Sequence, residues 1–79
     1  LVTYYDGQYV FVEVKTRKSD AHQDPVEAVG TTKQHRLQRA AHHYLSFVNQ
    51  SDHASRFDIV TIIWPTQGKP SVEHIENAF

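Results

Sequence analysis

The residues of this 79-residue chain with the clearest capacity for chemistry are Glu13 and Lys15, two apart in the apolar run "YVFVEVKTRK" from Tyr9 to Lys18. Strand alternation puts both side chains on one face, with their bases roughly 7 Å apart. A carboxylate so placed suits a hard divalent cation. A lysine beside it can hold or polarise a water and a phosphate oxygen. Each charge costs free energy to desolvate, so the two either neutralise each other or act on something else. E-x-K alone is common by chance, and a partly exposed ion pair at a strand end is its plainest account.

The preceding turn fixes the register of this run. "LVTYY" and "QYVFVEV" flank Asp6-Gly7, a two-residue hairpin signal. Counting outward pairs Tyr5 with Gln8, Tyr4 with Tyr9, Thr3 with Val10, Val2 with Phe11 and Leu1 with Val12. One face then carries Leu1, Thr3, Val10, Val12 and Val14, and the other Val2, Tyr4, Tyr9, Phe11, Glu13 and Lys15. Both faces are apolar enough near the end of the second strand to suit a strand covered on both sides. The position before Leu1 would sit opposite Glu13. An acid there would complete a two-carboxylate cradle for a cation, with the backbone carbonyl of Val14 as a third oxygen. Asp6 belongs to the turn at the far end of the hairpin.

Downstream, "TRKSDAHQD" reads as a polar loop. Asp24 can cap a short helical turn, "PVEAV", with Pro25 at its first position, and Gly30 ends that turn. Thr31 or Thr32 is expected to cap a long helix running to about Asn49, with Leu37, Ala40, Ala41, Tyr44, Leu45 and Val48 as its apolar stripe. "RFDIVTIIW" is a strand stopped by Pro65, "TQGKP" a turn and "SVEHI" a short last strand. The order β-β-α-β-β implies an α/β sandwich with a mixed sheet and one long central helix. Lys33 falls at the edge of the helical stripe. A cation in a first helical turn opposes the helix dipole, which makes sense if an anion such as phosphate binds nearby. Arg36 and Arg39 project from the flank as candidate phosphate contacts. His42 and His43 point about 100° apart on a helix, and no histidine pair has the i, i+4 spacing of a helical metal site. Arg56 and Asp58 share a strand face and suit an ion pair, with Asp58 a reserve acid for the site.

Seventy-nine residues make a single domain with a small core, and the chain has no cysteine to staple it. The absence of cysteine fits a reducing cytoplasm. No stretch approaches the ~18 apolar residues of a membrane span, and no secretory signal opens the chain. The sequence begins inside a strand-like run without a methionine, so residues before Leu1 are expected to be missing. A net charge of −1 gives no global attraction to nucleic acid. Lys15, Arg17, Lys18, Lys33, Arg36 and Arg39 are nonetheless six of the eight Lys and Arg residues, and no acid lies between Glu27 and Asp52. That basic zone suits a nucleic-acid contact or an ordinary solvated face.

"FVEVKTR", then Lys33 with "RLQRAAHHYL", then "RFDIV" and the closing "HIENAF" together resemble the YraN-like family of bacterial proteins. That family is described as predicted endonucleases of the PD-(D/E)xK superfamily, distantly similar to archaeal Holliday junction resolvases. The resemblance runs in order over nearly the whole chain. It implies a restriction-endonuclease-like core, in which Glu13 and Lys15 match the motif acid and lysine and Lys33 matches a lysine of the following helix. It also implies an Asp, ending a short "G-E-x-D" run, directly before the residues matching Leu1 and Val2, and a further helix upstream. That Asp, Glu13 and the Val14 carbonyl would hold Mg²⁺ or Mn²⁺ for hydrolysis of DNA phosphodiesters, at branched structures or elsewhere, with Lys15 orienting the water. Arg17, Lys18, Lys33, Arg36 and Arg39 would contact the nucleic acid, and a homodimer is a further expectation. Without the second acid, this chain alone is expected to bind metal weakly and to be inactive. The alternatives are a non-catalytic nucleic-acid-binding protein of the same fold, and a structural or interaction protein in which Glu13 and Lys15 merely pair.

Overall fold

Both residues of the Asp6-Gly7 turn adopt positive φ, 51° and 79°, the type I′ geometry whose twist matches that of paired strands. The turn joins β1 (Val2–Tyr5) to β2 (Gln8–Lys18). The register runs from Tyr5↔Gln8 to Val2↔Phe11 as the count from the turn requires. It extends one pair further, since the Val12 N–H donates to the Leu1 carbonyl at 2.8 Å and the Leu1 amino group donates to the Val12 carbonyl at 3.3 Å. The computed structural model describes residues 1–18 and 29–79. The expected Asp24 cap and the "PVEAV" turn lie outside the described residues.

The remaining elements are α1 (Thr31–Phe47), β3 (Ser55–Trp64) and β4 (Ser71–Ile75). The sheet is four-stranded in the order β1-β2-β3-β4. β1 and β4 are antiparallel to their neighbours, whereas β2 and β3 run parallel, with α1 in the crossover. This is the α/β arrangement with a mixed sheet and one long helix that the element order implies. β2 is longer than its side chains suggest. Thr16, Arg17 and Lys18, read from sequence as the start of a loop, pair with Ile62, Ile63 and Trp64. Backbone pairing with a long apolar β3 outweighs the polar side chains, of which Thr16 and Lys18 are exposed and Arg17 is partly buried on the α1 side.

The caps of α1 also differ from expectation. Gly30, not Thr31 or Thr32, is the N-cap, with extended φ and ψ of −61° and 161° and no side-chain cap. The Gln34 side chain reaches back instead to donate to the Val29 carbonyl at 2.7 Å. The helix closes at Phe47 rather than Asn49, because Asn49 adopts a left-handed φ of 59°. Its N–H donates to the Ser46 carbonyl and that of Gln50 to the Leu45 carbonyl, the double bond of a Schellman stop. Asparagine tolerates this conformation, whereas a β-branched residue does not. Asn49→Val is therefore expected to destabilise the fold by about 1–2 kcal/mol, and Asn49→Gly to be close to neutral, as read by denaturant titration.

One sheet face lies under α1. Phe11 and Tyr9 meet the Tyr44 ring edge-on at centroid distances of 6.0 and 6.1 Å, and Phe11 stacks on Phe57 at 5.5 Å. Ile59, Thr61, Ala41 and Leu45 are buried in this layer. The opposite face carries Val12, Val14, Asp58, Val60, Ile62 and Trp64 by alternation. There Val10 and Asp58 are buried but Val14 and Trp64 remain 50% and 53% exposed, so this face of β2 is covered only in part, not along its C-terminal end as expected. α1 is the only helix among the described residues, and it covers one face. No helix among them is long and apolar enough to cross a membrane.

Candidate functional site

β2 delivers Glu13 to the face beneath α1, and the first turn of α1 delivers Lys33 above it. The Lys33 ammonium Nζ donates to Glu13 Oε1 at 2.5 Å. The two side chains are 41% and 20% exposed, so the pair is half-buried at the rim of the interface. Glu13 is thus neutralised by a residue 20 positions away in sequence, not by its strand neighbour Lys15. Lys15 lies two residues further along the same face, half-buried, with no hydrogen-bond or ion-pair partner among the described residues.

The backbone around Glu13 is arranged as the turn count predicts. Val12 directs both its N–H and its C=O toward Leu1. Alternation then sends those of Val14 to the same side, beyond Leu1. The Glu13 carboxylate and the Val14 carbonyl are both hard oxygen donors. A set of one or two protein oxygens completed by water is what Mg²⁺ or Mn²⁺ accepts, so these residues fit such an ion. No cluster of three or more His, Cys, Asp or Glu residues suited to a metal occurs among the described residues.

Beside Glu13, between α1 and the β1–β2 hairpin, runs a cleft of about 190 Å³ lined by Val2, Phe11, Leu37, Ala40 and Tyr44. Glu13 is the only carboxylate side chain among the described residues of its wall. An apolar cleft with one acid at its edge and two lysines nearby is a common form of small binding site.

The expected nucleic-acid contacts are only partly brought together. Lys15, Arg17 and Lys33 share the α1 side of the sheet, and Arg17 Nη2 lies 3.6 Å from Glu73 Oε2 on β4. Arg36 and Arg39 are exposed on α1. Lys18 is exposed on the opposite face, paired with Trp64, and does not join them.

Asp58 does not join the Glu13 site either. It pairs with Val12 and so faces away from α1, where it is 1% exposed. Arg56 donates to it through Nε at 3.0 Å and Nη2 at 3.1 Å, His74 Nε2 at 2.7 Å and the Asn77 N–H at 3.0 Å. A carboxylate can only accept, so the His74 proton sits on Nε2. Burial by itself pushes the Asp58 carboxyl up. The hydrogen bonds from Arg56, Asn77 and His74, with the Arg56 charge, outweigh it and hold the carboxyl below the ordinary value of 3.8. The same partnership raises Arg56. The Arg56–Asp58 pair was legible in sequence. His74 and Asn77 were not, because only the fold of β4 and the turn after it brings them there.

Comparison with known proteins gives one consistent result. The family model described as "Uncharacterised protein family UPF0102" matches residues 1–62. A UPF0102 protein of Geotalea daltonii is 44% identical over 75 residues, covering 94% of this chain and 59% of the relative. One of Bifidobacterium longum subsp. infantis is 50% identical over 72 residues, covering 89% and 57%. One of Alkaliphilus metalliredigens is 38% identical over 79 residues, covering all of this chain and 68% of the relative. The chain thus spans less than two thirds of the length of the Geotalea and Bifidobacterium relatives.

Proposed function

The chain belongs to the uncharacterised protein family UPF0102, and on that footing we propose that it carries the metal-binding core of a Mg²⁺- or Mn²⁺-dependent nuclease acting on DNA phosphodiesters. The observation that supports this reading is the setting of Glu13: a half-buried carboxylate at the edge of an apolar cleft, with Lys33 on it and Lys15 beside it. Glu13 and the Val14 carbonyl would hold the ion, and the upstream neighbour of Leu1 would face Glu13 across the hairpin. When bound, the ion would polarise a phosphoryl oxygen and lower the pKa of a bound water. The Lys15 ammonium would orient that water and offset the charge that develops on the phosphoryl oxygens. Lys33, Arg36 and Arg39 would meet backbone phosphates on the α1 side.

The test is incubation of the natural full-length protein with supercoiled and with four-way-junction DNA, with Mg²⁺, Mn²⁺ or a chelator. Cleavage that requires the metal is expected, and Lys15→Ala is expected to slow it by about a hundredfold or more. Intact DNA with both metals, under conditions where the protein is folded, would overturn the proposal. A second reading draws on the same ion pair: Glu13 anchors α1 to the sheet and has no other role. It predicts that removing Glu13 changes stability alone.

A further inference from the structure

We propose that Lys33 is a cation place-holder: its ammonium occupies the Glu13 carboxylate when no metal is bound, and it is displaced when a divalent ion enters. The proposal rests on the reading of Glu13 as a metal ligand and adds to it how the site is kept in the metal-free protein. Lys33 Nζ lies 2.5 Å from Glu13 Oε1, so it holds an oxygen that a divalent ion would also seek. Two cations competing for one half-buried carboxylate repel each other strongly, because screening there is weaker than in bulk water.

The position of Lys33 gives the exchange a direction. It is the third residue of α1, whose first turn contains no acid, so its ammonium sits near the positive end of the helix dipole. The Glu13 carboxylate offsets that unfavourable placement. Once an ion takes the carboxylate, Lys33 loses its anion and swings out on a flexible stem that is already 41% exposed. A released ammonium beside the backbone N–H groups of the first turn of α1 then favours a phosphate oxygen. Lys33 would thus pass from the protein's own anion to the substrate's, tying metal entry to substrate capture. Lys15 is not placed to do this, since it makes no hydrogen bond or ion pair with Glu13 among the described residues.

The experiment measures Mn²⁺ binding to the natural full-length protein without DNA, by calorimetry and by the paramagnetic resonance signal of free Mn²⁺. Lys33→Gln and Lys33→Met are expected to bind Mn²⁺ about three- to tenfold more tightly than the unaltered protein. Lys69→Gln, which removes an exposed positive charge outside the site, is expected to leave the affinity within about twofold. In the unaltered protein, a Mg²⁺ titration followed by NMR should release the Lys33 ammonium from Glu13 as the site fills. This readout does not depend on any variant folding. Unchanged or weaker Mn²⁺ binding in both Lys33 variants, or a Lys33–Glu13 contact that persists in saturating Mg²⁺, would overturn the place-holder role. Glu13→Gln separates this failure from that of the underlying reading. Loss of Mn²⁺ binding there supports Glu13 as a ligand whatever Lys33 does, and full retention overturns the ligand assignment and the place-holder with it.

Discussion

Glu13→Ala is expected to abolish metal-dependent DNA cleavage by the natural full-length protein, lowering the rate by at least about a thousandfold, while leaving its thermal midpoint within a few degrees. The catalytic loss follows from the scarcity of hard ligands. Glu13 is the only acidic side chain among the described residues of the cleft wall, and the Val14 carbonyl alone is a weak site for a divalent ion. Without the ion, about 4 kcal/mol or more of transition-state stabilisation is lost, which is a thousandfold in rate. The small effect on stability follows from exposure. The Glu13–Lys33 pair is screened on one side, and an ion pair of that kind contributes about 1 kcal/mol or less to folding. Cleavage assays and thermal melts of the same preparation check both halves. Cleavage that persists unchanged in Glu13→Ala would exclude the metal mechanism. A large fall in the midpoint with no effect on DNA would favour the anchoring role instead.

The largest effect on stability is expected at Asp58. Asp58→Ala leaves the Arg56 guanidinium without its bidentate partner, and strands the Asn77 N–H and His74 Nε2 beside a small cavity. Removing one partner of a buried charged network costs about 3 kcal/mol or more, a large share of what a domain of this size has. The thermal midpoint should fall by more than about 10 °C. The pH dependence has a definite sign. The folded-state pKa of Asp58 lies below its ordinary 3.8, so its stabilisation is complete above that value and is lost as the pH falls through the lowered one. Denaturant titrations across that acid range should be flatter for Asp58→Asn than for the unaltered protein. Parallel pH profiles for the two would remove Asp58 as the source of acid sensitivity.

What was legible in the sequence depended on whether a short-range rule decided it. Asp6-Gly7 fixed the hairpin because both residues accept positive φ, and the pairs counted from it recur in the structure. The apolar stripe from Leu37 to Val48 located α1, and its N-cap was missed because Gly30 caps by backbone conformation without a side chain. The end of β2 was misplaced because the pairing partners of Thr16 to Lys18 lie in β3, more than forty residues on. The site divides the same way. Glu13 and Lys15 announce themselves by spacing, and the stripe edge hinted that Lys33 turns inward. That Lys33, and not Lys15, holds the carboxylate could be known only once the crossover had placed the helix start above β2.

Glu13 and Asp58 are separated by one strand pairing and one pleat, and they differ in how much acceptor capacity is left. A carboxylate offers about four acceptor positions. Asp58 receives four hydrogen bonds from Arg56, His74 and Asn77 and is saturated. Glu13 receives one, from Lys33, among the described residues. The same sheet therefore carries one acid whose valence is closed by the fold and one whose valence is largely open. Of these two acids, Glu13 is the one with acceptor positions left for an ion that takes the place of Lys33.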